Sequence, residues 1–213
     1  MSEDNVFELS VAVGQLDEQL FAWKQRLLDE WEQLYREVFQ CEVDLSTIKT
    51  PKRRLGFDRL IVVAQGITLK QIVQTSQKFY VVEGRNPSRL FTDLEETRGT
   101  HDRVPTALYA VWVRDQVDPD AEHIYGSVRW IKSRTVQGIT LLEYMLFTLK
   151  YFKETGLLLD RNVTSTICSG SRDGKFFVPV VFSGRTRAGK SLYLTFPLCY
   201  FDQIACWLPR NTL

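Results

Sequence analysis

Residues 141–155 constrain the fold of this chain more than any other segment. Leu142, Met145, Leu149 and Phe152 recur at steps of three and four, which places them on one face of a helix with a 3.6-residue period. Leu141, Tyr144, Leu146 and Phe147 widen that face until little of the circumference is polar. Such a helix has to be buried, so the rest of the chain has to build a body around it. Thr140 and Glu143 mark its start with the spacing of a capping box, in which each side chain accepts the other residue's backbone N–H. Gly156 supplies the stop.

The five residues 137–141, Gln-Gly-Ile-Thr-Leu, also occur at 65–69, where Gln71 is the box partner of Thr68 and Ile67 and Ile72 are spaced as a hydrophobic staple. The flanking sequences do not match, so one helix-start device is used twice without a repeat. Asn86 as N-cap and Pro87 at the first helical position announce a further short helix ending at Gly99. Strands are expected over 60–64, 79–83, 107–114, 124–131, 163–168, 176–182 and 192–196, the last two as a hairpin. Helices at the start and between groups of strands make the expected class α+β rather than a regular βαβ alternation.

Ahead of this body (55–213) lies an acidic helical segment (1–48), with a basic connector containing Pro51 between them. Leu16, Leu20, Trp23, Leu27, Trp31, Leu34 and Val38 form one stripe of a helix expected over 17–39, with Asp17 and Glu18 in its first turn. Phe21, Leu28, Tyr35 and Phe39 widen the stripe beyond a coiled-coil seam. The helix is expected either to brace its own body or to offer a surface for a protein partner or for self-association. Residues 1–50 carry a charge balance of −7 and the remainder +8, although the whole chain is at +1. That asymmetry suits a self-covering or partner-binding arm, and equally two ordinary solvated surfaces.

The longest uncharged apolar stretch, 191–201, is too short to span a bilayer and contains Pro197. The acidic start lacks the basic and apolar regions of a secretory signal. A cytoplasmic protein with no membrane contact is expected. Cys41, Cys168, Cys199 and Cys206 are scattered, and His101 and His123 lie far from any metal-ligand spacing, so neither a metal nor a cofactor is expected.

Three constellations bear on chemistry. Residues 184–191 match the phosphate-loop pattern G-x-x-x-x-G-K-S letter for letter. The motif requires a helix directly after it, whereas the alternating run 192–196 meets Pro197, so a hairpin tip is the better reading. Lys190 is then expected to matter little for stability. Second, His101, Asp102 and Cys168 supply a base, an orienter and a nucleophile, with the hydroxyls of the following Ser169 and Ser171 as further nucleophiles. A loop histidine and a capped turn explain the same residues without catalysis. Third, basic residues gather at Arg129, Lys132 and Arg134 and again at Arg185, Arg187 and Lys190, the charge that nucleic-acid binding requires if the groups share a face.

The blocks 110–115 (AVWVRD), 138–143 (GITLLE), 149–156 (LKYFKETG) and 168–172 (CSGSR) resemble blocks found in a set of uncharacterised bacterial proteins. The resemblance covers roughly 98–182 and implies a bacterial or mobile-element origin, with no activity and no site residue attached. The expected function is that of a non-enzymatic cytosolic binding or regulatory protein with a protein partner. The alternatives are nucleic-acid association through the basic body, and a hydrolase or transferase built on His101, Asp102 and Cys168.

Overall fold

The computed structural model describes residues 3–84, 99–120, 137–161, 164–173, 178–187, 189–195 and 207–209, with the side chains of the first helix described from Glu18 onward. The helix expected from Asn86, the strand expected over 124–131, and Arg129, Lys132 and Arg134 lie outside the described residues. The chain is α+β and divides into two compact units, Met1–Thr47 and Ile48–Leu213.

In the first unit α1 runs Glu3–Leu34 and continues as a π-helical turn, Tyr35–Phe39. Asp17 and Glu18 are therefore mid-helix rather than in the first turn. Good helix formers such as Leu9, Ala12 and Gln15 extend the helix beyond the apolar stripe that marks it in the sequence. The π turn stacks Tyr35 between Trp31 and Phe39, at centroid distances of 6.0 and 5.4 Å. It ends at Gln40, whose φ of 54° is left-handed. Glu32 then accepts the N–H of Leu45 at 3.1 Å, which folds the exit segment back along the helix. The stripe is buried only at Trp31, Leu34 and Val38; Leu20 and Phe21 are 53% and 70% exposed.

In the second unit β1 (Arg59–Val63) pairs antiparallel with β4 (Tyr109–Val113). Leu60 to Val63 are all buried, as a strand covered on both faces requires. A mixed five-stranded sheet has the order β2-β8-β7-β5-β9, from Val81–Gly84, Gly189–Thr195, Val180–Thr186, Ser165–Ile167 and Trp207–Pro209. A small ladder joins β3 (Gly99–His101) to β6 (Ser171–Asp173). Gly99, expected as a helix stop, instead opens a strand.

Both capping boxes form. Thr68 caps α2 (Leu69–Ser76) with Gln71, and Thr140 caps α3 (Leu141–Thr155) with Glu143. The glycine shared by the two five-residue words serves a different purpose in each. Gly66 adopts a φ of 74° in open space, so it answers a need for left-handed backbone. Gly138 answers a need for room: a Cβ there would lie 1.8 Å from Ser169 Oγ. Opposite it a Cβ on Gly170 would meet the Gly138 carbonyl oxygen at 2.6 Å, and the Gly170 N–H donates to Ile139 at 3.0 Å. Two backbones touch at this point, which brings the loop after β5 against the start of α3. That helix packs on α2 and β1, and from Leu141 to Lys150 only Leu142 is not buried.

Candidate functional site

The β3–β6 register sets His101 directly opposite Ser171. His101 Nδ1 lies 2.8 Å from Ser171 Oγ, which also accepts the Leu141 N–H at 2.8 Å. By accepting that amide Ser171 satisfies one of the open donors of α3, and the His101 tautomer sets which of Nδ1 and the hydroxyl donates to the other. Ser171 is fully buried. The Asp102 carboxylate accepts from Arg172 at 3.1 Å, and its N–H donates to Gly170. Cys168 is a buried free thiol whose N–H donates to Pro179. Among the described residues no hydrogen bond joins His101 to Cys168 or to the Asp102 carboxylate. The fold places the three candidates in one neighbourhood but commits each to a different partner.

Beside them lies an ion pair that nothing in the sequence announces. Arg103 donates Nε to Glu143 Oε1 at 2.6 Å and Nη2 to Oε2 at 2.8 Å, a bidentate fork. The same Nη2 reaches the Gly138 carbonyl, Tyr109 OH donates to Glu143 Oε1, and the Thr140 N–H donates to Oε2. Burial on its own lowers the Arg103 pKa; the Glu143 carboxylate, with smaller help from Tyr109 and Asp102, outweighs it and raises the value. Both Glu143 oxygens accept two hydrogen bonds each, and the residue has no exposed surface. It is a fastening, with the carboxylate fully engaged.

Free charge is found at the β7–β8 hairpin instead. Gly184 pairs with Ser191, Arg185 with Lys190 and Thr186 with Gly189, so the phosphate-loop letters lie along two strands and across a tight turn. No helix follows Ser191; β8 continues to Thr195. The letter match is thus a hairpin, as expected, but Lys190 is no bystander. Its ammonium donates to the Gly156 carbonyl at the end of α3 and sits 5.3 Å from the Phe152 ring centroid. A cation at a helix C-terminus complements the helix dipole, so Lys190→Ala is now expected to lower the stability of the fold, which urea unfolding checks.

A cleft of about 690 Å³ opens along this hairpin, walled by Lys78, Phe79, Tyr80 and Phe152 on one side and by Arg185, Arg187 and Lys190 on the other. Among the described residues its lining contains no acidic side chain. Arg185 and Arg187 are exposed and make no hydrogen bond or ion pair among the described residues. Lys153 extends the basic rim, its ammonium 4.8 Å from the Phe79 centroid. Phe79 and Phe152 are half-buried, with rings 6.4 Å apart. Burial pushes the Tyr80 phenol far above its usual range, partly offset by Ser76, so the phenol stays protonated and adds no negative charge to this wall. Sequence reasoning found Arg185, Arg187 and Lys190 but missed Lys78, Phe79 and Phe152. These join them because β2 lies parallel to β8 and α3 ends beside it.

No helix among the described residues is long and apolar enough to cross a membrane, and none of their acidic, histidine or cysteine side chains form a cluster able to hold a metal. No family model, no curated protein and no solved structure matches the chain.

Proposed function

We propose that the chain is a cytoplasmic binding protein that takes a single nucleic-acid strand in the cleft along the β7–β8 hairpin. The observation that carries this reading is the charge of Arg185 and Arg187, unpaired among the described residues, beside half-buried aromatic rings in a lining whose described residues include no carboxylate. Guanidinium groups without partners are available to phosphates, and Phe79 and Phe152 offer surfaces for bases. Arg59, Arg103 and Arg172 of the same unit are by contrast paired with carboxylates, Arg59 with Asp115 and Glu154, Arg103 with Glu143 and Arg172 with Asp102. A labelled single-stranded dodecamer titrated into the full chain should bind at low salt and weaken steadily as salt rises. Binding that is absent, or indifferent to salt, removes the proposal.

A second reading, a protein partner or a second copy bound through α1, is favoured by the exposure of Leu20 and Phe21 on consecutive positions of that helix. Sedimentation of the full chain over a hundredfold concentration range tests the self-association arm. An unchanging monomer would remove it.

A further inference from the structure

A second pocket adjoins the cleft and shares Arg185 and Lys190 with it. It encloses about 420 Å³, a size suited to a small ligand, and is lined by Leu157, Leu158, Arg161, Ser183, Arg185 and Lys190 along with Gly184. From these residues we infer that the pocket is a seat for a phosphate monoester. Among its described lining residues three side chains are cationic and none is acidic. Lys190 is fixed by Gly156 and the Phe152 ring, which holds one positive charge in the wall. Arg161 and Arg185 are exposed and have no hydrogen bond or ion pair among the described residues, so two guanidinium forks are available to one anion. Guanidinium matches phosphate oxygens bidentately, and a monoester offers nearly two charges where a strand's internal diester offers one.

The backbone before Arg161 strengthens the case. Asp160 adopts a φ of 53°, a left-handed conformation uncommon for a residue with a side chain. Its carboxylate turns inward to accept the Tyr144 hydroxyl at 2.7 Å, and its carbonyl accepts the Ser183 hydroxyl at 3.1 Å. The Asp160 carboxylate is thereby buried, while the next residue, Arg161, lines the pocket. Strain of this kind is maintained where surrounding contacts hold it. Leu157 and Leu158 give the pocket an apolar wall for the organic part of the ester.

The ester has two sources, a free monophosphate or the terminal phosphate of a strand, and only the second rests on the function proposed above. Arg185 lines both the pocket and the neighbouring cleft, so a strand in the cleft brings its end to the pocket. The test uses the full chain, dodecamers ending in hydroxyl, 5′-phosphate or 3′-phosphate, and a nucleoside monophosphate in a thermal-shift assay. One phosphorylated end should raise affinity about tenfold over the hydroxyl strand, or the monophosphate should raise the melting temperature. Arg161→Ala should abolish either effect and leave the affinity of the hydroxyl strand unchanged. A monophosphate shift without any strand binding keeps the pocket and sinks the strand proposal. Equal affinities for all three strands together with no monophosphate shift overturn the inference.

Discussion

Glu143→Ala is expected to lower the stability of the fold by about 3–5 kcal/mol, the usual cost of removing one partner from a buried ion pair. The carboxylate satisfies the Arg103 fork, the Tyr109 hydroxyl and the Thr140 N–H at once, from a position with no exposed surface. Its loss takes that acceptor from all three at once. Arg103→Ala should cost less, since Glu143 would keep the other two donors and the arginine side chain is 18% exposed. Urea unfolding of both variants gives the comparison. If Glu143→Ala costs no more than about 1 kcal/mol, the value of a lost helix cap, the carboxylate is only a capping-box partner and the ion pair adds nothing to stability.

The second large effect is expected at Leu149. It is fully buried on the α3 face that meets α2 and β1, so Leu149→Ala should cost about 2–5 kcal/mol through lost burial and the cavity left behind. Thr140→Ala, which removes the cap at the same helix's start, should cost about 1 kcal/mol. Against a total of about 5–15 kcal/mol, the first could unfold a marginal protein and the second should not. Equal midpoints for the two variants in urea would make α3 peripheral and contradict the core described above.

What could be read from the sequence was local. A capping box is a relation between residues three apart, so both boxes and the starts of α2 and α3 are visible without a structure. The β7–β8 hairpin was legible because its alternation and glycines outweigh a matching string of letters. Relations across the chain were not legible. Arg103 and Glu143 are 40 residues apart and Lys190 and Gly156 are 34 apart, and no periodicity links either pair. His101 and Ser171, separated by 70 residues, meet only because β3 and β6 pair in that register. The candidate site was half visible for the same reason. Its cations lie together on one hairpin, whereas its aromatic wall comes from residues before β2 and from the last turns of α3.

The most direct test of the account is the salt dependence of strand binding by the wild-type chain and by an Arg185→Ala/Arg187→Ala variant. Each phosphate neutralised in a single strand contributes about 0.7 to the slope of log affinity against log salt, so losing two should flatten the slope by about 1.4. Both side chains are exposed and without partners among the described residues, so the fold should be unaffected. A flatter slope with an unchanged melting temperature is the result predicted. An identical slope and affinity in the two proteins would place any nucleic-acid contact elsewhere and contradict the assignment of the hairpin cleft.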